Sequence, residues 1–141
     1  LLATGRSGLA GVDRDLFNCH FKAAIGQGVS LAQEANRYLD ATAPWRTIKT
    51  NRQDAATSLW VSIAVINCLK TVLFPFVPFS SQRLHEYLGF DGSVETEPWN
   101  FDHAVAAVKP GNALRQPLPL YTKLELHVVE EEVQRLGLPV E

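Results

Sequence analysis

The residues of this 141-residue chain that could do chemistry are few, and their types point to recognition rather than catalysis. Trp99 stands out. It follows Pro98 in a polar, turn-rich stretch, SVETEPWNFDH. An indole in such a loop either packs beneath it as a satellite core or offers a ring face to an unpaired base, worth roughly 1–3 kcal/mol when stacked. Arg37, Lys49 and Arg52 fall around one helix junction, where they could meet phosphates or remain solvated charges. The four histidines, His20, His85, His103 and His127, are scattered and have no carboxylate pairs at helical spacing. They read as surface or hydrogen-bonded helix residues, not catalysts. The chain has no G-x-x-x-x-G-K-[ST], no strand-linked G-x-G-x-x-G and no H-E-x-x-H. Cys19 and Cys68 form no C-x-x-C and are expected to be buried apolar thiols on helices, in a reducing compartment, with neither a disulfide nor a metal.

Bulk composition narrows the classes further. Hydrophobic residues make up 46% and charged residues 20%, a globular balance in one domain of ordinary size. The net charge of −2 excludes a whole-surface basic field for duplex nucleic acid. A few unpaired bases need less charge, because stacking and local hydrogen bonds carry the binding. Residues 55–69 hold no charge but include Thr57, Ser58, Ser62 and Asn67, and read as too short and too polar for a membrane span. The chain begins LLATG and contains no methionine, which points to a segment of a longer polypeptide.

The positioning elements read as helices. Leu1–Gly11 is glycine-rich and loop-like. A first helix is expected over Asp13–Asp40, with Asp13 or Asp15 at its N-terminal end. Gly26 and Gly28 either admit a neighbouring helix or break this one. Pro44 stops it, displacing Ala43 from the helical region, and Trp45 is expected to clamp the junction by packing. A second helix, from Gln53 or Asp54 to Phe74, is apolar almost all round and therefore central, with Trp60 or Ile63 in the core. Pro75 and Pro78 bracket a stiff corner. A third helix starts near Phe79–Ser81, with Ser80 or Ser81 as its cap, and ends at Gly89, with Leu84 and Leu88 inward. Residues 90–116 read as irregular, and Glu125–Leu136 as a terminal helix with Glu130–Glu132 in its first turn.

Three stretches together resemble the helical anticodon-binding domain of class I methionyl-tRNA synthetases. Asn36, Tyr38, Pro44, Trp45 and Lys49 match the family's N-x-Y … P-W … K. Pro75, Pro78 and Leu84–Gly89 match its P-x-x-P … L-G, and PLPLYTKLE at Pro117–Glu125 is similar to its closing segment. The resemblance spans roughly residues 13–125. It implies that Trp99 is the indole that stacks on the anticodon. The family also reads bases with an asparagine and an arginine one turn apart on the first helix of the domain. No N-x-x-x-R precedes Asp13, so no residue is assigned that role and that helix is expected to be missing or to lie outside these residues. Motifs of the HIGH and KMSKS type are absent as well.

The expectation is thus an all-α antiparallel bundle, with residues 1–125 as the anticodon-binding unit and 126–141 as a terminal helix and tail. By resemblance the partners are methionine-accepting tRNA and a catalytic domain of the same cytoplasmic polypeptide, which would use ATP with magnesium. No cofactor, membrane or DNA is expected for this segment. Two other readings remain: the anticodon domain of a synthetase for valine, leucine, isoleucine or cysteine, and a helical protein-interaction module that binds no RNA.

Overall fold

One central helix organises the chain, and every other packed element leans on it. The computed structural model describes residues 1–137. In order they form α1 (Leu2–Phe17), α2 (Phe21–Thr42), α3 (Pro44–Thr47), α4 (Arg52–Leu73), α5 (Pro78–Tyr87), a 3-10 turn (Val94–Thr96), α6 (Phe101–Ala107) and α7 (Leu126–Arg135). There is no strand among the described residues, so the fold is all-α as expected.

The start of the chain corrects the expected loop. Leu2–Phe17 is helical despite Gly5, Gly8 and Gly11. Each glycine costs about 1 kcal/mol of intrinsic helicity, but tertiary packing supplies most helix stability. Here the glycines are contact points. A Cβ on Gly5 would lie 2.5 Å from Phe101 Cε2. Asp13 and Asp15 therefore sit inside α1 rather than capping a later helix, and Asp15 is buried, accepting from Gln27 Nε2–H.

The long first helix is really two. The chain turns at Asn18–Cys19–His20, where Cys19 takes a left-handed φ of 58°. Asn18 Nδ2 donates to Arg14 O at 2.8 Å and His20 N to Asp15 O at 2.7 Å, so side chain and backbone both close the corner. Cys19 is exposed there, contrary to expectation, while Cys68 is buried. The alternative break at Gly26–Gly28 does not occur. Ala24, Gly28, Leu31 and Ala35 are buried at helical spacing and face α4 and α1.

Helix α4 starts at a built cap. Asn51 Oδ1 accepts from Gln53 N and Asp54 N, and Asn51 Nδ2 donates to Asp54 Oδ2 at 2.7 Å. It is the most buried element, as expected, but its core face is Ala55, Val65, Cys68, Leu69 and Val72. Trp60 and Ile63 are half-buried on its flank instead. By length and composition α4 could cross a membrane, which the charge-free run alone did not imply. Over its most apolar window 56% is buried inside this bundle, as in a core helix.

Pro78 opens α5 and Ser81 lies buried within it, so neither serine is the cap. The other end is as expected. Gly89, at φ +83°, and Phe90 donate to Glu86 O and His85 O, which closes the helix in a Schellman turn. Leu88 is buried and Leu84 half-buried. The stretch 90–116 is less irregular than expected, because Ser93 caps the 3-10 turn and Asn100 caps α6. No residue of α7 is buried, and Glu130–Glu132 occupy its second turn, not its first. Of the expected tail, residues 138–141 lie outside the described residues.

Candidate nucleic-acid interface

Trp99 is bracketed by fixed points. Two residues before it, the Glu97 carboxylate lies 3.6 Å from the buried Lys70 ammonium. One residue after it, Asn100 Oδ1 accepts from His103 N at 2.9 Å and starts α6. Upstream, the Gln82 amide grips the loop in both directions, donating to Gly92 O at 2.9 Å and accepting from Val94 N at 2.9 Å. The indole is half-buried and packs against the core cluster that includes Val12, Cys68, Val72 and Phe101. Its Nε1–H is out of solvent without a partner among the described residues. Trp99 is thus part of the satellite core beneath its loop and only partly buried.

Lys70 is the group that holds this loop. Its Nζ lies 2.6 Å from His85 Nδ1 and 4.2 Å from the centroid of the Phe90 ring. His85 Nε2 lies 3.1 Å from Asp91 O. A carbonyl only accepts, so Nε2 carries the proton and Nδ1 accepts from the ammonium. Burial holds Lys70 below its ordinary 10.5, and the Glu97 charge and hydrogen bond oppose that shift.

The basic trio occupies the other end of the bundle. Arg37 lies on the second half of α2 and pairs with Glu34. Lys49 and Arg52 flank the Asn51 cap, exposed and without an ion pair among the described residues. Along α4, Arg52 is eighteen residues from Lys70, which pairs with Glu97 two residues before Trp99, or about 27 Å at 1.5 Å per residue. The structure therefore does not gather Trp99 and the three cations into one patch.

A family model described as the anticodon binding domain of methionyl tRNA ligase matches residues 9–138. The chain belongs to that family. Among curated relatives of this anticodon-binding domain, methionine–tRNA ligase from Dehalococcoides mccartyi strain CBDB1 is 46% identical over 130 residues, covering 92% of this chain and 23% of the relative. Those from Chloroflexus aurantiacus and Thermomicrobium roseum are 39% and 40% identical, covering 96% and 82% of this chain and 26% and 24% of theirs. The domain spans about a quarter of the length of the relatives it matches.

The family's structural motif residues are placed unevenly. Pro44 is buried as the first residue of α3, Tyr38 is half-buried and Asn36 is exposed. Trp45 is 55% exposed, which overturns its expected packing role. The reason is local: α3 is a single turn, Pro44 takes its inward position, and the next residue points about 100° away. Trp45, the 51% exposed Ile48 and Lys49 are all exposed within five residues, which sequence reading missed. A second missed feature is an apolar cleft of about 550 Å³ along α4, lined by Leu59, Trp60, Ile63, Val108, Pro110 and Leu114. Trp60 Nε1–H donates to Val108 O at 3.0 Å across it. Among the described residues no three His, Cys, Asp or Glu side chains converge as metal ligands.

Proposed function

We propose that this domain binds the anticodon of methionine-accepting tRNA as part of a methionine–tRNA ligase. Amino-acid activation, with ATP and magnesium, and transfer to tRNA would belong to the remainder of such a polypeptide. Family membership supports the reading, and the observation that carries it onto this chain is Trp99. It is a partly exposed indole on a loop whose backbone is fixed on both sides. A ring held in place loses little entropy when a base stacks on it. Stacking tolerates any base, so polar groups nearby would supply base choice. Correct anticodon contacts would favour productive placement of the distant acceptor end, which makes this domain a source of specificity.

Charging kinetics of the complete polypeptide test this. Trp99→Ala is expected to lower kcat/KM for tRNA by a factor of about 5 to 150, the equivalent of one stacked base. Trp99→Phe recovers part of the loss, and activation without tRNA is unchanged. Charging by Trp99→Ala at the wild-type rate would remove Trp99 from the interface. Filter binding of several tRNA species at low and high salt separates a methionine-specific domain from one serving another amino acid, or from a module that binds no RNA.

A further inference from the structure

We infer that Lys70, His85 and Glu97 form a buried clasp that positions Trp99. The inference rests on the proposed role of Trp99, which it deepens by naming what aims the ring. Lys70 is 1% exposed and its side chain is sealed from solvent. An ammonium in such a place carries a heavy desolvation penalty, which only well-placed partners offset. Every partner of Lys70 belongs to α5 or to the loop that follows it. His85 Nδ1 lies at 2.6 Å, the Phe90 ring centroid at 4.2 Å and Glu97 Oε2 at 3.6 Å. His85 in turn stacks on Phe90, with centroids 5.3 Å apart, and bonds Asp91 O. One lysine on the rigid central helix thus gathers the beginning and end of the 90–97 segment.

The clasp reaches Trp99 through little slack. Glu97 is extended at φ −69°, ψ 135°, and Pro98 fixes the next φ near −65°. Asn100 then caps α6. Replacing a whole buried ion pair by apolar residues is often neutral or stabilising, whereas an apolar residue at position 70 alone would leave the buried His85 Nδ1 without its donor. What the charged group adds is direction: it accepts one arrangement of His85 and Glu97. Lys70, His85 and Glu97 are therefore positioning residues that act through the indole.

The test uses the complete polypeptide labelled with 5-fluorotryptophan, the Trp99 resonance being identified by its loss in Trp99→Phe. Lys70→Met and Glu97→Gln are both expected to fold with a lowered melting temperature, because each leaves a buried partner unmatched, and to shift or broaden that resonance. Charging kcat/KM falls about fivefold or more, within the range of one stacked base, with activation in the absence of tRNA unchanged. In a Trp99→Ala background, Lys70→Met lowers charging further by no more than about twofold, because the two residues act on one contact. An unmoved Trp99 resonance in both variants overturns the clasp, as does a full, multiplicative loss in the double mutant. Should Trp99→Ala alone charge normally, the proposed function of Trp99 fails, and the fluorine spectrum still decides the clasp. Should Lys70→Met not fold, Glu97→Gln carries the test, since that carboxylate is 20% exposed.

Discussion

Cys68 and Lys70 lie two residues apart on α4, both out of solvent, and burial drives their titrations in opposite directions. It pushes the Cys68 thiol from 9.0 up to about 12 and holds the Lys70 ammonium below 10.5. Above pH 9 the unfolded chain gives up the Cys68 proton that the fold retains, so stability falls between about 9 and 12. Lys70 acts the other way. The unfolded chain keeps its proton to higher pH than the fold does, so stability rises as pH approaches 10.5. Cys68→Ala should therefore show an unfolding free energy that falls less steeply with pH in the alkaline range than wild type, and Lys70→Met one that falls more steeply. Denaturant titrations across that range check both. Identical slopes in the three proteins would show that neither group is as buried as described.

Gly26 and Gly28 share one turn of α2 and should respond oppositely to alanine. A Cβ on Gly26 meets nothing within 4 Å, whereas one on Gly28 meets Leu73 Cδ2 at 2.8 Å and Val72 Cγ1 at 3.4 Å. Gly26→Ala should stabilise by about 0.5–1 kcal/mol through helix propensity and a stiffer unfolded chain. Gly28→Ala offsets that gain by displacing the end of the Leu73 side chain, and overpacking of this kind costs about 1–3 kcal/mol. Thermal midpoints that rise in both variants would show that α4 yields easily at Leu73.

Trp45 should now be nearly neutral for stability in this domain. With 55% of its surface exposed, Trp45→Ala should cost no more than about 1 kcal/mol, against about 3–5 for a buried aromatic. A loss in the larger range, measured on the isolated 141-residue chain, would mean that the indole packs in solution.

The parts of the fold legible in sequence were those with long periodic patterns or strong punctuation. The apolar run of α4, the stop at Pro75 and the Gly89 terminus all read correctly, because one local cause dominates each. The rest depends on partners distant in sequence. Gly5 suits a helix only because Phe101 lies against it, 96 residues away. Phe101 and Ala104 are the only buried positions in α6, too few to show a period, although Asn100 was an available capping signal. At the candidate site the chain displayed Trp99 but hid its support. A lysine inside an apolar helix reads as a surface residue until His85 and Glu97, 15 and 27 positions on, are seen to meet it.

The separation of Trp99 from the basic trio leads to a last expectation, about salt. If Lys49 and Arg52 meet phosphates of a bound single-stranded loop, each should contribute about 0.7 to the slope of log K against log salt concentration. Both are exposed and unpaired among the described residues, so binding costs them no partner. Arg37 already pairs with Glu34, and Arg37→Ala should change the slope less than either. Trp99→Ala should weaken binding at every salt concentration and leave the slope as it was, because stacking releases no counterions. Binding isotherms of methionine tRNA over a salt series measure all four variants. Slopes unchanged in Lys49→Ala and Arg52→Ala would place the RNA backbone away from the α3–α4 junction and leave the Trp99 end of the bundle as the sole contact.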